Sequence, residues 1–161
     1  VLSVVKHFPG QGAVAGDSHD GAVSTDKTLD ELMANELVPF QQAINNGASI
    51  IMAGHISTPS VTGDDTPASV SSVMITDVLR NQMGFHGVVI TDAMNMSAIT
   101  DKYSSADAAV AAINAGADMI LMPEDFNVAY QGIIDAVNNG TITEERLNES
   151  VARIIKVKLS M

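Results

Sequence analysis

Nucleophilic and acid–base chemistry needs titratable side chains held close together, and this chain gathers them at a few points. Lys6 and His7 follow the apolar run 2–5, His55 follows 49–53, Asp92 follows 87–91, and Glu124 and Asp125 follow 117–122. A further group, Asp17-Ser18-His19, lies in the glycine-containing stretch after Gly10. A carboxylate at Asp92 could attack an electrophilic carbon and hold it as an ester, or could cap a helix after a buried strand. Asp17 and His19 have the makings of a general acid/base. Imidazole titrates near neutrality, and an adjacent carboxylate favours its protonated form and orients it. Two residues apart, the same pair also suits a surface turn. His86, in the turn after Met83 and on the opposite face, reads as structural, and Glu124 and Asp125 read as helix caps.

The elements that must carry these residues alternate. Runs 2–5, 49–53, 87–91 and 117–122 are nearly continuously apolar, as expected of parallel strands buried on both faces. Helical spacing falls between them. Leu29, Leu32, Leu37, Phe40 and Ile44 mark one segment, with Thr25 as its expected N-cap, Gly47 as its stop and Pro39 dividing it. Segments 71–83 and 105–115 end at Gly84 and Gly116, a helix over 133–137 ends near Gly140, and a last one starts at Thr143 with Leu147, Val151 and Ile154 on one face. Residues 57–69 form a polar loop, suited to a substrate-side role or to a plain connection. Four consecutive βα units predict an α/β fold with a parallel sheet. A small flavodoxin-like domain satisfies the same pattern. Two features favour half of an eight-fold barrel: four units occupy 161 residues where a whole barrel takes ~250, and the polar residues cluster at strand C-terminal ends, the catalytic face of barrels.

Composition narrows the partners. The formal net charge is −11, which repels nucleic acid and anionic membrane surfaces, and no basic cluster offsets it. No apolar run approaches the ~18 residues that span a bilayer. The absence of cysteine removes disulfides and thiolate chemistry, and the four histidines lack ligand-like i, i+4 spacing, so neither a metal nor a cofactor is expected. The glycines after the first strand miss the dinucleotide fingerprint. Val1 opens almost within strand-like sequence, so the chain is expected to be one unit, residues 1–161, cut from a longer protein. No leader is visible in it, and the cellular compartment stays open.

Three motifs stand in order: Lys6-His7-Phe8-Pro9-Gly10-Gln11-Gly12 with Asp17-Ser18-His19; Met52-Ala53-Gly54-His55-Ile56 with Pro67-Ala68-Ser69-Val70-Ser71; and Gly84 through Val89-Ile90-Thr91-Asp92-Ala93-Met94-Asn95-Met96. Together with Ala115-Gly116-Ala117-Asp118 and Ser150-Val151-Ala152-Arg153-Ile154, the set resembles the family 3 glycoside hydrolases of the bacterial β-N-acetylglucosaminidase type over essentially the whole chain. The resemblance implies the second half of a (β/α)8 barrel, its N-terminal half absent, and removal of terminal β-linked N-acetylglucosamine from glycans such as peptidoglycan fragments. It implies Asp92 as nucleophile, His19 with Asp17 as acid/base dyad, and Lys6 and His7 as substrate-binding residues; His55, which ends its strand in the same way, suits contact with substrate or with a neighbouring carboxylate. The chain departs from the pattern at Gln11, Ala13 and Val14, in the loop that carries the dyad. Two alternatives accompany this reading. One is a phosphorylase using the same residues, since a neutral histidine repels phosphate less than a carboxylate does. The other is an inactive half-barrel that seeks its missing half or a copy of itself, because an open parallel sheet leaves two strand edges unpaired.

Overall fold

The computed structural model describes residues 2–13 and 23–160. Its strands are β1 (Val4–Phe8), β2 (Val23–Ser24), β3 (Ile50–Ala53), β4 (Ile56–Ser57), β5 (Val88–Ala93) and β6 (Met119–Leu121). Its α-helices are α1 (Leu29–Ala34), α2 (Val38–Asn45), α3 (Pro59–Thr62), α4 (Ser97–Thr100), α5 (Ser105–Ala115), α6 (Phe126–Asn138) and α7 (Glu144–Leu159), with a π-helix over Val73–Gln82. Strands β1, β3, β5 and β6 form one parallel sheet in that order, paired Val4 to Ile50, Ile50 to Val88 and Ile90 to Met119. The two-residue strands β2 and β4 pair in parallel beside it. The α/β class and the parallel sheet match the expectation from periodicity.

Side chains alternate along a strand, so each strand sorts its residues between two faces. Phe8, Ile51, Ala53, Val89 and Thr91 are buried on the face that meets the helices, where Leu32, Phe40, Met74, Ile75 and Leu79 close the core. Phe8 and Phe40 meet edge to face, with ring centroids 5.5 Å apart and planes at 89°. Such a pair contributes about 0.5–1.5 kcal/mol beyond its burial, and it anchors β1 on α2. Burial on both faces does not hold: Val4 and Met119 are exposed on the other face, and Ile50, Met52, Ile90 and Leu121 are only half-buried there. Val88, at the start of β5, is buried on that same face.

Several boundaries move. β1 includes Lys6 and His7 rather than ending before them, because its pairing with β3, after shifting register between Val5 and Phe8, resumes with Phe8 opposite Ala53. The N-cap of α1 is Thr28, not Thr25. Thr28 Oγ1 accepts from Glu31 N at 3.4 Å, and Glu31 Oε2 accepts from Thr28 N at 2.8 Å, a capping box. α6 starts at Phe126 instead of 133, since Asp125 caps it by accepting from Val128 N at 3.0 Å. On α7 the buried position is Ser150, and Val151 is exposed. Residues 57–69 are not a bare loop. They hold part of β4, α3 and a 3₁₀ turn (Ala68–Val70), with Ser57, Thr58, Ala68 and Ser69 buried.

One buried carboxylate ties the strand-start end of the sheet. Asp118 Oδ2 accepts from Arg80 Nη2 at 2.7 Å and from Val89 N at 2.9 Å, while its Oδ1 accepts from Ser150 Oγ at 2.6 Å and Arg153 Nη1 at 3.0 Å. Burial pulls the Arg80 and Arg146 guanidinium groups down in pKa while Asp118 pulls them up; both remain cations. Gly116 just before it has φ +113°, and a Cβ there would fall 2.7 Å from Thr76 Oγ1. The hub leaves the opposite ends of the strands to carry the polar groups described next.

Candidate active site

Asp92 sits next to last in β5, and alternation puts it on the uncovered face with Ile90. Its neighbour Thr91 turns inward and accepts from Leu121 N at 3.0 Å, which fixes the end of β5 against β6. Asp92 Oδ1 accepts from Ala93 N at 2.9 Å. Its Oδ2 lies 3.7 Å from His7 Nε2, with 18% of the Asp92 side chain and 23% of the His7 side chain exposed. The carboxylate is thus held on one oxygen and open to the strand mouth.

His7 comes from β1, two strands away, and must reach across the end of β3. Gly54 makes room for it: a Cβ on Gly54 would stand 3.1 Å from the Cβ of His7. Gly54 N also donates to Phe8 O at 2.8 Å, which continues the β1–β3 contact past the last strand pair. Lys6 is exposed and lines a cleft with His7, Gln11, Asn35 and Glu36. Glu36 pairs with Lys27, and its other oxygen is buried without a partner among the described residues. The Lys6–His7 and Phe8–Pro9 peptide bonds are cis.

His55 lies beneath this surface at 2% exposure. Its Nε2 is 2.9 Å from the Ala93 carbonyl, and its Nδ1 is 2.8 Å from Ser69 Oγ. A carbonyl only accepts, so Nε2 carries a proton, and in the neutral ring Nδ1 accepts from the Ser69 hydroxyl. Burial pushes the His55 pKa down, opposed by the Ala93 bond and the Asp92 charge and reinforced by His7, so the neutral ring is favoured. Of the six residues picked out by sequence, the structure brings His7, His55 and Asp92 to one strand end with Lys6 beside them. Asp17 and His19 lie outside the described residues. Glu124 is exposed, and His86 is exposed beyond the other end of the sheet, near Arg153 and Lys156. Among the described residues no group of three or more His, Asp or Glu could hold a metal ion, and no helix is long and apolar enough to cross a membrane.

Two participants escaped sequence reasoning. Gly54 stood in a quoted motif as a mere neighbour of His55, and only the strand register reveals that it faces His7. Ser69 is 14 residues from His55, and no spacing rule links a turn serine to a strand-end histidine.

Residues 1–157 match the glycosyl hydrolase family 3 N terminal domain. The chain belongs to glycosyl hydrolase family 3. It is 33% identical to beta-hexosaminidase A of Pseudoalteromonas piscicida over 181 residues, an alignment covering 100% of this chain and 30% of that protein. The structure superposes on a family 3 beta-N-acetylglucosaminidase from Paenibacillus sp. str. FPU-7 with TM-score 0.96 and 38% identity, covering 99% of this chain and 31% of the other. It also matches the beta-glucoside phosphorylase BglX bound to 2FGlc, with TM-score 0.90 and 31% identity over 96% of this chain and 29% of that one. The family 3 chain thus spans about a third of the length of these relatives.

Proposed function

We propose that the family 3 protein carrying this chain removes terminal β-linked N-acetylglucosamine by a retaining, two-step mechanism. The observation that carries the proposal is the Asp92 carboxylate at the end of β5, with one oxygen bound by Ala93 N–H and the other facing His7 across the strand mouth at 3.7 Å. In the first step an Asp92 oxygen attacks the anomeric carbon, the bond to the leaving oxygen breaks, and His19 gives that oxygen its proton. In the second, His19 takes a proton from water, the water oxygen attacks the same carbon, and the ester breaks to restore the Asp92 carboxylate. Asp17 orients the His19 ring, and Lys6 and His7 hold sugar hydroxyls. Buried with both nitrogens engaged, His55 supports the carboxylate rather than the sugar.

We further infer that the four βα units, residues 1–161, form the later half of a (β/α)8 barrel. Supporting this are the uncovered apolar sheet face, the outer edges of β1 and β6 left unpaired among the described residues, and relatives about three times longer. The likeness to a phosphorylase favours one alternative: phosphate replaces water in the second step, and the product is a sugar 1-phosphate. Release of an aryl leaving group from a β-N-acetylglucosaminide by the full-length protein tests the activity, with Asp92→Asn as control. The proposal expects a loss of at least ~10³-fold in the variant, on the scale seen when a nucleophile is removed. Equal rates would overturn it, and product analysis with and without phosphate separates the two reactions.

A further inference from the structure

We infer that Ser69 and His55 form a buried relay that fixes the peptide beyond Asp92 and so sets the direction of its carboxylate, making His55 a positioning residue; this rests on reading Asp92 as the nucleophile. The geometry runs through one peptide plane. The Ala93 carbonyl accepts from His55 Nε2 at 2.9 Å, and Met94 N, in the same planar unit, donates to Leu121 O at 2.9 Å. The Ala93 N–H lies in the preceding peptide unit, hinged to this plane at the Ala93 Cα, and points at Asp92 Oδ1 at 2.9 Å; holding one side of the hinge narrows the range over which that donor can swing. Any rotation of Ala93 would swing that donor and release the carboxylate.

The ring itself is held twice. Ser69 Oγ is 2.8 Å from Nδ1, and Ser69 N donates to Gly54 O at 2.9 Å, so the 3₁₀ turn docks on the residue directly before His55. Ser69 is fully buried, which keeps water from competing for either bond. An apolar side chain would fill this site without the penalty of burying an imidazole, which is offset only when both nitrogens are satisfied. Packing alone therefore does not explain a histidine here, whereas a donor aimed at the Ala93 carbonyl does.

Substitutions in the full-length protein separate positioning from packing. Gln at position 55 places its amide nitrogen near the position of Nε2 and can still donate to Ala93 O. Asn reaches only as far as Nδ1 and cannot. The relay expects His55→Asn to lower kcat ~10–100-fold with KM within about two-fold, the scale of a small misplacement of a reacting group. It expects His55→Gln to recover most of that loss, although both variants lower Tm. Equal kcat in the two variants, or a fall in Tm with kcat intact, would overturn it. Should Asp92→Asn turn over like the parent, the nucleophile reading fails, and the imidazole nitrogen shifts of His55 still decide the relay. A neutral Nε2–H ring persisting well below pH ~6.5 and disturbed in Ser69→Ala supports it. A ring titrating freely near that pH, as an unburied histidine does, overturns it.

Discussion

At the scale of residues, the candidate site depends on what is missing from Gly54 as much as on what Asp92 carries. A methyl group at 54 must push the His7 side chain by a few tenths of an ångström, since the two Cβ atoms would be 3.1 Å apart. Gly54→Ala is therefore expected to lower kcat/KM about ten-fold with little change in Tm, because orientation errors cost rate more than stability. Kinetics beside a thermal melt would check this, and unchanged kinetics would free His7 from any role at Asp92. His55 makes a prediction in pH. Its folded pKa is depressed, so below its unfolded value of ~6.5 the unfolded chain binds a proton that the folded chain does not, and stability falls as pH drops from there. Denaturant titrations at pH 7.5 and 5.5 should show that drop in the parent and a smaller one in His55→Gln. Asp92, Lys6, His7 and His55 were legible because each ends an apolar strand-like run. The relay was not, since it joins a turn serine to a histidine through a contact that exists only after folding.

Among the elements, the strands and α5 were readable from apolar runs and glycine stops, and Gly116 ends α5 where expected. The π-helix was not. Its winding shows in bonds such as Met83 N to Val78 O at 2.9 Å, and spacings of three and four residues do not distinguish it from an α-helix. The start of α6 was missed because its first two turns expose Phe126, Val128 and Tyr130, which present no buried face for a periodicity to mark. The Asp118 hub was equally hidden, as its partners Arg80, Ser150 and Arg153 come from two helices far apart in sequence. Removing this carboxylate takes away the one acidic partner of Arg80 among the described residues and leaves Arg146 and Arg153 only the half-exposed Glu149. Asp118→Ala is expected to destabilise the chain by about 3–5 kcal/mol, as for other broken buried ion pairs. Urea unfolding would measure it, and a loss below ~1 kcal/mol would contradict the hub's role.

Over the whole molecule, apolar side chains stand exposed along two helices. Phe126, Tyr130 and Ile134 recur every four residues on α6 and are exposed, Phe126 at 68%; Val151, Ile155 and Leu159 do the same on α7, with Leu159 at 83%. Together with the open sheet face they suit the other half of a barrel, and relatives about three times longer have the chain length to supply it. Alone, the 161-residue chain is expected to self-associate through these faces, and light scattering at micromolar concentration should give more than a monomer mass. Phe126→Ser with Ile134→Ser should shift it toward monomer, while a monomeric parent would remove the case for an unfinished barrel. The parallel α/β sheet was legible in the alternation of strand and helix. The exposure of one sheet face was not, since runs 2–5 and 49–53 read equally well as strands buried on both sides.

The most direct test of the central claim is to trap the glycosyl-enzyme on the full-length protein with a fluorinated, activated N-acetylglucosaminide and map the labelled peptide by mass spectrometry. The account predicts one added sugar, on Asp92, and none in Asp92→Asn. A sugar attached to another residue, or turnover that persists in Asp92→Asn, would contradict it.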